Sequence, residues 1–262
     1  LRIERKEKYT NMKQRFSRFS MLVGEEAIEK LNKSNVIVFG VGGVGSYTVE
    51  SLVRSGIGNI TMVDYDEISE SNINRQLHAL DSTVGMSKIE VMKKRILNIN
   101  PDCNVTLKKE IVLKNVEIFF ENNNQKYDFA VDAIDVIDSK INIIEYCYNN
   151  NINIISSMGF GNKMHPEMIE ISTIENTISC PMARRIRSIL KKKCIKNIPV
   201  VFSREEVLKP DKSETFAHEA PTKFKQNNGM PRKIIPGSNA FVPGTAGLII
   251  ASYVIRNLLE IK

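Results

Sequence analysis

The sequence predicts an α/β protein built on a doubly wound, mostly parallel sheet with a C-terminal α/β extension. Three observations lead there. Short apolar runs rich in β-branched residues alternate with segments of helical period. The first run passes into the glycine turn "VFGVGGVGS" at residues 38–46. Acidic residues, Asp64 and Asp66 after the second run and Asp132 and Asp135 after the fourth, collect where such strands would end.

The elements follow in order. Residues 35–40 read as a buried strand ended by glycine, and residues 46–55 as a helix with Val49, Leu52 and Val53 on one face. Residues 59–66 repeat the strand pattern. A polar loop, a helix over about 88–98 and strands at 103–109 and 127–135 come next. A helix over 139–149 and a strand at 152–157 complete a repeated β-α order, which favours right-handed crossovers and one sheet. Past residue 160 the alternation weakens: a strand at 168–174, a basic helix, a strand at 198–203, a long polar segment at 204–237 and an apolar helix over about 246–259. Residues 1–165 therefore read as a nucleotide-binding region and 166–262 as a C-terminal region continuous with the same fold. Asn-rich patches at 122–124 and 149–151 read as surface turns.

At 262 residues, 42% hydrophobic and 26% charged, the chain has the balance of a folded protein with a real core and excludes general disorder. Its four cysteines, Cys103, Cys147, Cys180 and Cys194, form no C-x-x-C pair, so neither structural zinc nor a disulfide framework is indicated, and a reducing, cytoplasmic setting is the simpler reading. The first eighteen residues are basic and do not resemble a signal peptide. The C-terminal apolar helix, read from residue 246, falls short of the ~20 residues that span hydrocarbon, so a buried helix is expected over a membrane contact. The net charge of +7 permits an anionic partner, and residues 182–196 hold seven basic residues and no acidic one. That stretch is either a solvated helix face or an RNA-contacting one.

The spacing Gly40-x-Gly42-x-x-Gly45, with an extra glycine at Gly43, brings backbone N–H groups to a helix start where phosphate can bind. By itself it suits a hydride carrier as well as ATP. Asp64 suits a ribose hydroxyl, and Asp66 either joins the site or caps a turn. Downstream, "SNINRQ" (71–76) and "VGMSK" (84–88) bring Asn72, Arg75, Gln76 and Lys88 into the same neighbourhood. Hydride transfer needs no such cations near phosphates, whereas adenylyl transfer does, because negative charge on the α-phosphate rises in the transition state. Asp135 is placed to help hold Mg²⁺. Gly40 to Gly45, Asp64 and Asp132 to Asp135 are all expected to face one crevice.

"RFSRFSMLVG" (15–24), "GVGGVGS" (40–46), "RSGIGNITMVDYDEISESNINRQ" (54–76), "VGMSK" (84–88), "NINPD" (98–102) and "VDAID" (131–135) resemble, in order, the Rossmann-like ThiF, MoeB and ubiquitin-activating-enzyme superfamily of carboxylate adenylyltransferases. The resemblance implies ATP on the glycine turn, Asp64 on ribose, Asn72, Arg75 and Lys88 around the phosphates, Asp135 organising Mg²⁺, and Arg18 reaching as an arginine finger into the other subunit of a homodimer. The zinc-binding C-x-x-C pairs of bacterial carrier-activating members are absent from this sequence.

The second half, "SSMGFGNKMHPEMIEISTIENT" (156–177), "PMARRIRSILKK" (181–192), "VVFSRE" (200–205) and "PGSNAFVPGTAGLIIASYVIRNL" (236–258), resembles the tRNA threonylcarbamoyladenosine dehydratase family. That resemblance implies ATP-dependent cyclisation of threonylcarbamoyladenosine at position 37 of tRNA through a carboxyl-adenylate, with AMP and pyrophosphate released. It also allows a sulfur-transfer partner, a cysteine desulfurase. On this reading Arg184, Arg185, Arg187 and Lys191 to Lys193 contact tRNA phosphates, and residues 166–262 carry tRNA and dimer contacts. One departure stands out: Cys180-Pro181 occupies a place where the family pattern reads Asp-Pro. Cys180 is expected to be structural over a covalent catalyst. The competing readings are an adenylyltransferase acting on a small ubiquitin-like sulfur-carrier protein and a non-catalytic dinucleotide-sensing or interaction module that uses only the glycine turn.

Overall fold

The computed structural model describes residues 14–121, 126–209 and 236–261. The turn expected at 122–124, most of the basic N-terminal arm and most of the polar segment at 204–237 lie outside the described residues.

Among the described residues, strands β1 (Asn35–Phe39), β2 (Asn59–Val63), β3 (Asn104–Lys108), β4 (Phe129–Asp132), β5 (Ile154–Ser157), β6 (Ile169–Thr173) and β7 (Pro199–Ser203) form one sheet in the order β3-β2-β1-β4-β5-β7-β6. All neighbours run parallel except β6, which pairs antiparallel with β7 at the edge. The sheet is continuous across residue 165. β1 is buried along its whole length, as the apolar run at 36–39 requires of a strand covered on both faces. Successive chain segments build outward from β1 in one direction through β2 and β3, then in the other from β4. The order therefore reverses between β1 and β4, and the crevice outside their carboxyl ends is where such sheets bind ligands.

Among the described residues the longer α-helices are α1 (Ser17–Val23), α2 (Glu25–Lys33), α3 (Gly45–Arg54), α4 (Lys88–Ile99), α5 (Ile137–Asn149), α6 (Pro181–Lys192) and α7 (Phe241–Leu259), with a shorter helical turn at Glu117–Phe120. Alternation along each strand divides the core. Val36, Val38, Ile60 and Met62 face Leu52, Met92 and Ile250 of α3, α4 and α7. Ile37, Phe39 and Ala130 face Ile144 and Ile186 of α5 and α6. Arg95 of α4 forks onto Glu50 of α3 with bonds of 2.7 and 2.9 Å, fixing one helix to the next.

Two expectations change here. α7 begins at Phe241, five residues before the predicted start, because Pro243 falls in the first turn, where its missing N–H breaks no intrahelical bond. Asn239 Oδ1 accepts the Val242 N–H at 2.9 Å and closes that end. At 19 residues α7 is long and apolar enough to cross a membrane by length and composition, so length does not separate the two readings. Packing does: Val242, Ala246, Ile250 and Val254 are buried in the core, and a Cβ on Gly247 would sit 2.4 Å from Val44 O of the facing segment.

The second change concerns Asp132, expected at the crevice. It is fully buried, with Lys140 Nζ at 2.9 Å and the Ser156 hydroxyl donating at 2.6 Å. Ser156 is its register partner on β5, so the strand pairing itself turns Asp132 sideways into the sheet. Lys140 donates its other bond to Ile134 O at 3.0 Å, tying α5 to the loop after β4. Removing one member leaves a buried charge uncompensated, so Lys140→Ala should lower the unfolding free energy by about 3–5 kcal/mol. Lys30→Ala, which breaks an exposed pair with Glu260, should leave the denaturation midpoint unchanged. Urea titration of the two variants checks both outcomes.

Candidate active site

β1, β2 and β4 end level with one another, Phe39 beside both Val63 and Asp132, so the segments that follow them share one rim. The glycine turn leaves β1 there. Gly40 has φ +85°, and a Cβ on it would lie 2.7 Å from Ala133 O; a Cβ on Gly45 would lie 1.8 Å from Gly40 O. Neither position admits a side chain. Gly43 faces Pro243 Cβ at 3.3 Å and Arg75 Cγ at 3.5 Å, measured from its ideal Cβ position. Gly42 differs from these: a Cβ there would meet only Gln76 Nε2, at 3.9 Å. Its open side fits the close approach of a phosphate to the backbone. The turn opens into α3, whose first N–H groups and dipole favour an anion.

Beneath the turn, Asp64 Oδ2 accepts the Val41 N–H at 2.7 Å and Oδ1 accepts the Asp66 N–H at 2.9 Å. A carboxylate has about four acceptor sites, so these two bonds orient Asp64 without saturating it. On the other side, the Nε2 of buried His78 lies 2.7 Å from Val41 O. Burial, reinforced by the Lys88 charge, pushes the His78 imidazole below its ordinary pKa against the opposing pull of Val41 O and Asp64. His78 escaped the sequence reading, because a histidine two residues past Gln76 signals nothing until that loop is laid against the turn.

The segment after β2 supplies the other wall. Arg75, half-buried over Gly43, donates from Nη1 to Ser71 O at 2.7 Å and to Asn74 Oδ1 at 2.9 Å. The Asn74 amide donates to Ser238 O, joining this wall to the start of α7. Asn72 is buried, with its Oδ1 accepting the Ser69 N–H at 3.1 Å within its own turn. Gln76 is 7% exposed and its Oε1 has no partner. Lys88, at the start of α4, is buried and pairs with Asp66 at 2.8 Å. Asp66 thus has a defined task, holding Lys88 at the rim. Asp135 is exposed just past β4 on the same rim.

A third wall follows β5. Lys163, 2% exposed, donates to Ser203 O and Glu205 O, and burial lowers its pKa. The Glu205 carboxylate accepts the N–H groups of Met164 and His165, which pins residues 163–165 beside the start of α7. Cys180 is 4% exposed and caps α6, with its Sγ accepting the Ala183 N–H at 3.5 Å. That place suits the structural reading of this thiol.

α6 is held with its first turn beside Gly159 and its far end toward the amino edge of the sheet. Arg184, Arg185, Lys191 and Lys192 are exposed along it. Two of the expected RNA contacts are engaged elsewhere: Arg187 donates to Thr177 O and Oγ1 at 2.7 and 2.6 Å, and Lys193 binds Glu145 at 2.9 Å. Arg18 is not brought to this rim. α1 is anchored at the opposite edge, where Phe16 faces Gly56 and Arg15 donates to Ile99 O.

A family model described as the ThiF family matches residues 16–262. The chain is 42% identical over 253 residues to a tRNA threonylcarbamoyladenosine dehydratase of Bacillus subtilis, covering 95% of this chain and 96% of that protein. It is 35% identical over 260 residues to the enzyme of the same name from Haemophilus influenzae, covering 96% of each. Among solved structures, the Escherichia coli tRNA N6-threonylcarbamoyladenosine dehydratase in complex with ATP matches with a TM-score of 0.80 at 31% identity over 95% of both chains. The same protein in complex with AMP matches at 0.81 and 32%.

The glycines of the turn should separate by role. Gly45→Ala should cost about 3 kcal/mol or more of stability, because its Cβ meets backbone that cannot yield, while Gly42→Ala should melt as the wild type does. Thermal unfolding of the two proteins distinguishes them.

Proposed function

This chain belongs to the ThiF family, and we propose that it is an ATP-dependent tRNA threonylcarbamoyladenosine dehydratase. The observation that carries the reading is the pairing of an open Gly42 with two cations, Arg75 above the turn and Lys88 held by Asp66 beside it. Such an arrangement meets negative charge that rises on a phosphate during adenylyl transfer, a charge that hydride transfer does not develop.

In the reaction the threonylcarbamoyl carboxylate attacks the α-phosphorus of ATP and pyrophosphate leaves, giving an acyl-adenylate. A nucleophile within the modification then attacks the acyl carbon, the ring closes and AMP departs with one of the original carboxylate oxygens. The net loss is one water, with no redox step. The chain supplies position and charge. Asp64 receives a ribose hydroxyl, the N–H groups of the glycine turn meet the phosphates, and Arg75, Asn72, Gln76 and Lys88 line the triphosphate. Mg²⁺ commonly binds through one or two carboxylates plus phosphate oxygens, so the exposed Asp135 suits it, and the ion would neutralise phosphate charge.

Arg18 completes the site from a second copy of the chain. Supporting this, α1 sits at the edge opposite its own glycine turn and exposes Met21 and Leu22 at 79% and 81% beside Arg18, an apolar surface suited to a homodimer. tRNA lies along α6, where the exposed Arg184, Arg185 and Lys191 meet phosphates and the modified adenosine at position 37 enters the crevice; a cytoplasmic setting is part of the same proposal. A cysteine desulfurase forms no part of the proposal, because the cyclisation moves no sulfur. The alternative of carrier-protein activation has narrower support: a probable molybdopterin-synthase adenylyltransferase of Porphyra purpurea matches 48% of the chain.

Incubation with ATP, Mg²⁺ and threonylcarbamoylated tRNA, followed by nucleoside mass analysis, tests the reading. The expected result is a mass lower by one water, with AMP formed in equal amount. Asp135→Ala and Arg75→Ala should each reduce this turnover by about a hundredfold or more at unchanged melting temperature. AMP formed only with an added carrier protein would favour the alternative, and full turnover in both variants would overturn the site assignment.

A further inference from the structure

The main chain at Val41 is gripped from both sides. Its N–H donates to Asp64 Oδ2 and its carbonyl faces His78 Nε2, each at 2.7 Å. A carbonyl only accepts, so Nε2 carries the proton, and Nδ1 is left as a bare acceptor without a partner. His78 is 2% exposed, so the Val41 carbonyl points inward. In a planar trans peptide the next N–H points the opposite way. That N–H belongs to Gly42, the glycine with open space at its Cβ position, and among the described residues it has no backbone acceptor. Beside it lies Gln76, 7% exposed, whose Nε2 is, among the described residues beyond the turn itself, the only atom within 4 Å of the ideal Gly42 Cβ position and whose Oε1 has no partner.

We infer that His78 is a positioning residue for the nucleotide: by holding the Val41 carbonyl it sets the Val41–Gly42 peptide plane and aims the Gly42 N–H at the bound phosphates. This rests on the proposed ATP-dependent function and adds to it a residue that touches neither nucleotide nor tRNA. Depression of its pKa by burial keeps the ring in the single-donor form that the task requires. Without that bond the peptide can rotate, and the turn loses one oriented donor while Asp64 still holds the preceding N–H.

The consequence is selective. The turn grips the nucleotide before and during reaction alike, so the loss appears in ATP affinity and KM, with the KM for tRNA unaffected. His78→Phe keeps a ring of similar shape without a donor, and should weaken ATP binding about tenfold while leaving the KM for tRNA within about twofold. His78→Gln extends an amide to the place of Nε2 and should restore ATP affinity to within about threefold of wild type. His78→Asn, whose amide reaches only as far as Nδ1, should behave like the phenylalanine variant.

Calorimetric titration with ATP in the absence of tRNA reads these differences directly. His78→Phe binding ATP as wild type does, or His78→Gln binding as weakly as His78→Asn, would overturn the positioning role alone. Should the phenylalanine variant fail to fold, the glutamine and asparagine pair decides by itself. A wild-type protein that binds no ATP would overturn the functional reading and this inference with it.

Discussion

Backbone packs on backbone where the first strand turns into α3: the space between Gly45 and the Gly40 carbonyl, and between Gly40 and Ala133 O, is too small for any Cβ. This contact sets the level of the turn against β4 and the starting point of α3. Because α3 starts there, Tyr47 and Thr48 meet Gly244 and Gly247 of α7, and the Thr48 hydroxyl donates to Gly247 O at 3.2 Å. The C-terminal helix is thereby seated with Pro243 against Gly43. Chain segments separated by some two hundred residues in sequence converge on one turn, and the walls of the crevice follow from that convergence.

Four aspartates end the strands around this turn, and their surroundings give each a different task. Asp64 organises the turn by accepting two backbone N–H groups. Asp66 holds Lys88. Asp132 is buried against Lys140 and Ser156, where it can stabilise the sheet and cannot meet solvent or ligand. Asp135 is exposed at the rim. Spacing alone assigns all four to one crevice; register and burial separate them.

The strands and the helices between them were legible in the sequence because each is apolar at its own period and bounded by glycine or polar residues. α1 and α2 were not: α1 buries none of its residues, so it carries no periodic signal, and α2 buries only Ile28 and Leu31. The start of α7 was obscured by Pro243, whose position in the first turn becomes visible only with the Asn239 cap. At the site, the glycines and the order of Asp64, Arg75 and Lys88 were readable as a pattern. The commitments of Arg187 to Thr177 and Lys193 to Glu145 were not, since a basic run does not reveal which cations the fold has already engaged. His78 was hidden for the same reason, because its partner lies thirty-seven residues away on the turn.

With the glycine turn as the floor of an adenylylation site, a carboxylate oxygen becomes bonded to the α-phosphorus. Threonylcarbamoylated tRNA labelled with ¹⁸O in both carboxylate oxygens tests this in a single turnover with ATP. The expected products are AMP carrying one ¹⁸O atom and a cyclised nucleoside retaining the other. Label appearing in inorganic phosphate with ADP as the nucleotide product, or unlabelled AMP, would contradict it.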